Sequence, residues 1–169
     1  MTTGWVARAE SPADIPAVRS IHLAAFETAA EADLVDALRD DASWLTGLSV
    51  VATDRGGRVV GHALLTRCSI DATPALCLAP CAVLPELQRS GAGSAAVRGA
   101  LEAARGRGEA YVTVLGHPGY YPRFGFRRAS AFGIRVDIDV PDEALMAMTL
   151  DETRPLPAGT IRYAAPFGI

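Results

Sequence analysis

Cysteine and long apolar runs are both scarce in this chain of 169 residues. The three cysteines, Cys68, Cys77 and Cys81, are an odd number, and no second CxxC pair or HxxxH motif accompanies them. Neither a disulfide framework nor a zinc site is predicted, and the cysteines are expected to pack as small apolar side chains. No stretch approaches the roughly 18 apolar residues of a membrane span, and the opening MTTGWVARAE has no apolar signal core. We therefore expect a soluble cytoplasmic protein that binds no membrane.

Positive charge is limited as well. The 16 basic residues are fewer than the 19 acidic ones, the formal net charge is −3, and the basic residues are scattered between carboxylates. Because binding along a nucleic acid needs a continuous basic surface, nucleic acid is not expected as the main partner. The three histidines, His22, His62 and His117, are isolated in sequence, so we expect structural or solvated positions and assign no metal.

The length and the 50% hydrophobic content suit one domain with a core of its own, spanning residues 1–169. Trp5–Ala9 is predicted to form a first strand. Ser11 is then suited to cap a helix whose first residue is Pro12. Apolar residues at helical spacing continue as far as Leu38, which predicts two consecutive helices or one broken helix.

The middle of the chain alternates strands with one helix. LSVVATD and RVVGHALLTRCSI meet at a glycine turn, which predicts an antiparallel hairpin. The next apolar run contains Pro80, which cannot donate to a strand ladder and predicts an edge, a bulge or a splayed strand. An Ala-rich helix over Gly91–Arg105 leads to a strand over Ala110–Leu115, and this order implies a parallel crossover. Two or three further strands follow.

The loop from Gln88 to Gly93 opens the Ala-rich helix with glycines. Consecutive backbone amides at a helix N-terminus can bind a phosphate without a lysine, because the helix dipole also favours an anion there. GAGSAA formally matches the dinucleotide fingerprint, but it follows an antiparallel hairpin, and only Glu109 stands near the expected acidic position, so NAD is not expected to bind. No GK[ST] follows the glycines, which excludes a Walker loop.

Two motifs make the chain resemble the GNAT superfamily of acyl-CoA-dependent N-acetyltransferases. The first is QRSGAG, in which Gln88, Gly91 and Gly93 fit the pattern [QR]xxGx[GA] between a strand and a helix. The second is YPRFGF, whose Tyr121 and closing GF fit YxxxGF after the next strand. The resemblance covers about residues 4–150 and within the superfamily is strongest to small bacterial predicted N-acetyltransferases of the YhbS type.

The resemblance implies an α/β (α+β) GNAT fold, with a central mixed, mostly antiparallel sheet, a splayed parallel strand pair and flanking helices. It implies acetyl-CoA as cosubstrate, with the pyrophosphate on the loop amides and the pantetheine arm on the open strand edge. The residues expected to bind it are Cys81, Ala82, Val83, Leu84, Gln88, Arg89, Ser90, Gly91, Ala92, Gly93 and Ser94.

Acyl transfer needs a group that protonates the departing thiolate, and Tyr121 holds the family's position for this acid. Tyr120 is the rival, because the proline after Tyr121 can shift which ring faces the thioester. Glu31 is the tentative base, in a helical region that forms one wall of the acceptor site in the family.

Other candidates for the base stay open at this stage. Glu27 and Asp33 lie in the same helical region as Glu31, and ordered water is a further candidate. His62 and His117 titrate in the right range but show no partner in the sequence.

The predicted function is transfer of an acetyl group from acetyl-CoA to a primary amine of a small molecule or peptide, by direct attack and without a covalent enzyme intermediate. The alternative is a sensor or regulatory module that binds acyl-CoA without turnover. A homodimer is compatible with the sequence, and the acceptor amine is left open, because variable loops form acceptor pockets.

Overall fold

The structure is a computed structural model and describes residues 4–169, so the first three residues of the opening stretch lie outside it. The described residues form three α-helices and nine β-strands. The helices are α1 (Ile15–Ala25), α2 (Ala30–Arg39) and α3 (Ala92–Gly106). The strands are β1 (Val6–Ala9), β2 (Trp44–Thr53), β3 (Val59–Ile70), β4 (Thr73–Val83), β5 (Tyr111–Leu115), β6 (Arg127–Arg128), β7 (Ile134–Arg135), β8 (Leu145–Thr149) and β9 (Gly159–Arg162).

The main sheet has the order β1-β2-β3-β4-β5-β8-β6, and β9 links β3 to β7 at its margin. Neighbouring strands along this order are antiparallel except β4 and β5, which are parallel. Helix α3 lies in the connection between these two parallel strands, as the sequence predicted. The predicted mixed, mostly antiparallel fold is confirmed.

The first helical region is two helices, and it opens on a 3₁₀ turn rather than directly on an α-helix. The turn spans Pro12–Asp14, and α1 begins at Ile15. The carboxylate of Asp14 accepts a hydrogen bond from the backbone N–H of Ser11 at 2.7 Å and one from the guanidinium of Arg8 at 2.6 Å. These charge-assisted bonds close the turn and attach it to β1.

Helix α3 packs closely on the sheet because its inner face is made of small residues. Ala96, Ala100 and Ala104 are fully buried in the same core as Leu48 and Val50 of β2. The helix begins and ends within a residue of the predicted bounds. Its N-terminus is thereby held against the end of β4.

The strands β4 and β5 separate after a short paired stretch. They pair only at Leu76 with Val112 and at Cys77 with Thr113. The register between β3 and β4 then shifts, because β4 carries one extra residue in the stretch that includes Pro80. This is a β-bulge, and beyond it β4 pairs with β3 alone. The predicted splay is confirmed, and it leaves one edge of β4 open.

Candidate active site

A cavity of about 820 Å³ lies where β4 and β5 separate. It is bounded by the open end of β4, the first turn of α3, the segment after β5 and the C-terminal end of α1. Its lining residues are Ala25, Phe26, His62, Cys81, Ala82, Val83, Gln88, Arg89, Gly91, Gly93, Ser94, Val97, Gly116, His117, Tyr120, Tyr121 and Arg123.

The glycine loop forms one end of this cavity. Arg89 and Gly91 have φ angles of 64° and 96°, in the left-handed region that glycine adopts at little cost. Gly91 is the N-cap of α3 and supplies no side-chain hydrogen bond, so the first backbone N–H groups of the helix are available to an anion. A Cβ at Gly93 would lie 2.9 Å from Val83, which explains why this position has no side chain. The indole of Trp5 donates a hydrogen bond to the carbonyl of Ser90 at 3.0 Å and so holds the loop.

Cys81, Ala82 and Val83 of β4 line the cavity beside the loop. They lie beyond the last residue pair shared with β5, so no strand pairs with their main chain on that side, and the Val83 carbonyl accepts only a long hydrogen bond of 3.5 Å from the Gln88 amide. Burial raises the pKa of the Cys81 thiol to about 12, which keeps it neutral. The thiol is therefore a wall of the cavity rather than a nucleophile, because the thiolate is the reactive form.

The two adjacent tyrosines face different parts of the cavity. The hydroxyl of Tyr120 is 3.0 Å from the Oγ of Ser94, at the N-terminus of α3. The guanidinium of Arg123 lies 4.3 Å above the Tyr120 ring. Tyr120 is therefore part of the glycine-loop end of the cavity.

The side chain of Tyr121, by contrast, lies beside the thiol of Cys81, at the open edge of β4. Burial, followed by the nearby Cys81, raises the pKa of Tyr121 above its ordinary value, so the phenol stays protonated through neutral pH. A Cβ at Gly116 would lie 2.5 Å from the Tyr121 ring, so the absence of a side chain there sets the ring position. The ring also packs edge-on against the buried Phe126.

His62 has hydrogen-bond partners that the sequence did not indicate. Its Nδ1 lies 2.9 Å from the Nε2 of His22, and its own Nε2 lies 2.8 Å from the Oγ of Ser49. Burial lowers the pKa of His22 to about 4, and burial, then His22 and Arg39, lower the pKa of His62. Both imidazoles are neutral at pH 7, and His62 forms part of the cavity wall.

Not every predicted residue reaches this cavity. Leu84, Ser90 and Ala92 lie in the predicted cofactor segment but outside the lining. Glu31 is half-buried in the first turn of α2 and is also outside the lining. No aspartate or glutamate is present among the described lining residues.

The other two carboxylates of that helical region are also outside the lining. Asp33 forms an ion pair with Arg19 at 3.0 Å, and Glu27 is exposed.

Several lining residues were not selected from the sequence. Gly116 and Arg123 flank the tyrosines within the segment VLGHPGYYPRFGF, so their position beside the YPRFGF motif is a signal that could have found them. Phe26 and Ala25 carry no such signal, since they reach the cavity only through the packing of α1 on the sheet.

The chemistry of this site suits an anionic ligand with an amide-rich arm. Arg89 and Arg123 and the N-terminus of α3 provide positive potential at one end. A free strand edge provides main-chain donors and acceptors, and a protonated phenol lies at its far end. Within residues 4–169 no helix is long and apolar enough to cross a bilayer. The same residues contain no cluster of metal-ligating side chains.

Comparisons with known proteins agree with this geometry. The model of the acetyltransferase (GNAT) family matches residues 15–126. The uncharacterized N-acetyltransferase YjhQ of Escherichia coli strain K12 is 36% identical over 161 residues, which cover 90% of this chain and 88% of YjhQ. The uncharacterized N-acetyltransferase YhbS of the same strain is 35% identical over 130 residues, which cover 76% of this chain and 77% of YhbS.

Solved structures extend the similarity to the whole chain. The crystal structure of YhbS from Escherichia coli in complex with CoA has a TM-score of 0.90 at 27% identity and covers 100% of this chain and 94% of its own. A GNAT family acetyltransferase from Brucella melitensis in complex with acetyl-CoA has a TM-score of 0.79 at 28% identity and covers 98% and 99%. Since the family model matches most of the chain and YjhQ is similar over nearly all of it, the chain belongs to the GNAT family of acetyltransferases.

Proposed function

We propose that this protein transfers the acetyl group of acetyl-CoA to a primary amine of a small molecule or peptide in the cytoplasm. The observation that carries the proposal is one cavity that joins a helix N-terminus without a side-chain cap, an open β4 edge and the protonated hydroxyl of Tyr121. The relatives crystallised with CoA and acetyl-CoA support this choice of cosubstrate.

We expect acetyl-CoA to bind in one orientation in this cavity. Its pyrophosphate would lie on the first amides of α3, next to Arg89, because the helix dipole and the free N–H groups favour an anion there. Its pantetheine arm, which contains two amides, would pair with the free edge of Ala82 and Val83 as an added strand does. The thioester then lies beyond the loop, toward Cys81 and Tyr121.

The reaction is a direct acyl transfer. The amine nitrogen attacks the thioester carbon, the C–N bond forms, and the tetrahedral intermediate collapses as the C–S bond breaks. The electron pair of the C–S bond leaves on sulfur, and the Tyr121 hydroxyl donates its proton to that thiolate. Tyr121 is favoured over Tyr120, because Tyr120 contacts Ser94 at the loop end, whereas Tyr121 lies against Cys81.

The amine must also lose a proton. Both ring nitrogens of His62 already have hydrogen-bond partners, and Glu31 lies outside the lining. We therefore propose that a water molecule in the cavity takes the proton from the amine and that Glu31 accepts the proton from this water. Glu31→Gln should lower kcat/KM by less than tenfold, since water can release the proton elsewhere, and a loss above about 10²-fold would make Glu31 the direct base.

Calorimetric titration with acetyl-CoA tests the binding site. Gly91→Asp adds a carboxylate at the predicted pyrophosphate position and should weaken binding at least tenfold, or about 1.4 kcal/mol. Gly57→Asp is the matched control, because Gly57 also has a positive φ, of 86°, but lies in the turn between β2 and β3. Equal affinity of the folded Gly91→Asp variant and the control would remove the loop from the site.

A screen of amines for CoA thiol release tests turnover. Release that depends on one class of amine supports the transferase. Tight acetyl-CoA binding without release across a broad panel would instead support the sensor module on the same fold.

A further inference from the structure

A second cleft of about 230 Å³ lies between α3 and the turn that follows Tyr120. Its lining residues are Arg98, Leu101, Glu102, Arg105, Arg123 and Phe124. Arg123 lines both this cleft and the main cavity, so the two spaces are adjacent. None of the other lining residues belongs to the main cavity.

The cleft concentrates positive charge. The chain contains no lysine, so every side chain that can hold an anion by permanent positive charge is an arginine. Arg105 is paired with Glu102 at 3.2 Å, which offsets its charge. The guanidinium of Arg98 lies 5.1 Å above the Phe124 ring, and that of Arg123 lies 4.3 Å above the Tyr120 ring.

The two aromatic contacts hold these guanidinium groups without neutralising them, since an aromatic face carries no net charge. In the described residues neither Arg98 nor Arg123 forms an ion pair with a carboxylate. They are therefore the uncompensated charges of the cleft.

Arg98 lies nearer than Arg105 to the N-terminus of α3, where the pyrophosphate is expected. Arg98 follows Ala92, the first residue of α3, by a rise of about 9 Å, whereas Arg105 lies about 10 Å farther along the axis. In coenzyme A the ribose carries its 3′-phosphate only a few bonds from the 5′-pyrophosphate. A pyrophosphate on the first turn of α3 thus leaves the 3′-phosphate near Arg98 and Arg123, and not near Arg105.

We propose that Arg98 and Arg123 form a binding site for the 3′-phosphate of coenzyme A, and that this chain thereby distinguishes CoA from dephospho-CoA. The inference rests on the proposed function, since it requires CoA in the main cavity. Guanidinium groups suit this ligand because their N–H donors match the geometry of phosphate oxygens.

The test compares CoA with dephospho-CoA by calorimetry at one fixed salt concentration. The wild-type protein should bind CoA at least tenfold more tightly. Arg98→Ala should lose most of that preference because it binds CoA more weakly, while its affinity for dephospho-CoA stays within about twofold of wild type. Arg123→Ala should lose the preference as well.

Two control variants distinguish a specific phosphate site from a general effect of positive charge. Arg162→Ala removes the same charge from β9, outside both cavities, and should keep the preference. Arg105→Ala should also keep it, because Arg105 is paired and lies too far along α3.

Three results would overturn the inference. Equal binding of CoA and dephospho-CoA by the wild-type protein would do so while leaving the proposed acetyl transfer intact. Equal weakening of both ligands in Arg98→Ala would assign Arg98 a general electrostatic role. Failure of the wild-type protein to bind either ligand would overturn this inference and the proposed function together.

Discussion

Tyr120 and Tyr121 are adjacent in sequence but differ in the groups that lie beside them. The Tyr120 hydroxyl is hydrogen-bonded to Ser94 at the N-terminus of α3, whereas the Tyr121 side chain lies beside the thiol of Cys81 on β4. A phenol that lies against one sulfur atom is suitably placed to protonate another sulfur close by. The raised pKa of Tyr121 keeps its phenol protonated at neutral pH, which is the form that a general acid must have.

Replacing Tyr121 by Phe should therefore reduce kcat while leaving acetyl-CoA affinity nearly unchanged. The change removes one oxygen and keeps the ring that packs on Phe126. General-acid contributions reach about 10²- to 10⁴-fold, but a thiolate is a good leaving group, so a loss of about ten- to a hundredfold is expected. Steady-state kinetics with the best amine of the screen, together with calorimetry, measure both quantities.

Tyr120→Phe is the matched control for this prediction. It should weaken acetyl-CoA binding by a few fold through the lost contact with Ser94, with a smaller effect on kcat. If Tyr121→Phe kept full turnover and Tyr120→Phe lost it, Tyr120 would be the general acid in place of Tyr121. Full turnover of both would assign the acid to water.

Helix α3 serves two purposes, since it fills the core and presents its N-terminus to the cavity. Gly99 allows the close approach that both require. A Cβ at this position would lie 2.6 Å from the Cβ of Ala7 and 3.1 Å from Val50. Neither neighbour can rotate away, because one is a methyl on β1 and the other is a buried valine of β2.

Gly99→Ala should therefore lower the free energy of unfolding, by about 1–3 kcal/mol relative to Gly106→Ala, because it overfills a packed interface. Gly106 is the last residue of the same helix and has open space where a Cβ would go. Its replacement should be neutral or stabilise the protein by up to about 1 kcal/mol through helix propensity. Urea unfolding of both variants measures the difference, and equal stability would show that α3 can shift at no cost.

The buried pair of His22 and His62 makes the stability of the fold depend on pH. In the unfolded chain a histidine has a pKa near 6.5, whereas in the fold the pKa of His22 falls to about 4 and that of His62 is also lowered, both by burial. Ser49 from β2 and Arg39 from α2 face the pair, and Arg39 is itself ion-paired with Glu10 at 2.6 Å. Because burial disfavours the charged imidazoles, both histidines are neutral in the folded protein.

The free energy of unfolding should be highest above pH 6.5 and should fall between pH 6.5 and 4, where the unfolded chain takes up protons that the folded chain excludes. The limiting slope is about 1.4 kcal/mol per pH unit for each histidine. Hydrogen bonds from Arg8 and Arg67 lower the pKa values of Asp14 and Glu109, and the stability that these carboxylates contribute is lost progressively from about pH 5 downward.

Urea unfolding at pH 7, 6 and 5 measures this slope. His22→Gln should reduce the slope, because one excluded proton is removed, even if its stability at pH 7 is lower. An unchanged slope in that variant would assign the pH dependence to other groups.

Local patterns were sufficient for much of the molecule. The positive φ of Gly91, the alanine face of α3 and the bulge near Pro80 each depend on residues within one short segment, and such constraints are visible in the sequence. The order of these segments predicted a parallel crossover, and the resemblance to the GNAT superfamily implied that the two parallel strands splay apart. The candidate roles of the glycine loop and of Tyr121 came from two short motifs of the same superfamily, and they stay predictions.

Contacts between distant segments could not be read from those patterns. His62 meets His22 and Ser49 only after α1 packs on β3 and β2 pairs with β3 in a particular register. The choice between two adjacent tyrosines depends on contacts with distant or neighbouring segments, which are Ser94 of α3 for Tyr120 and Gly116 after β5 for Tyr121. The pattern within a segment determines the backbone conformation and the apolar face of that element. The partners of a side chain depend instead on how the elements are placed relative to one another. Only the folded chain fixes that placement.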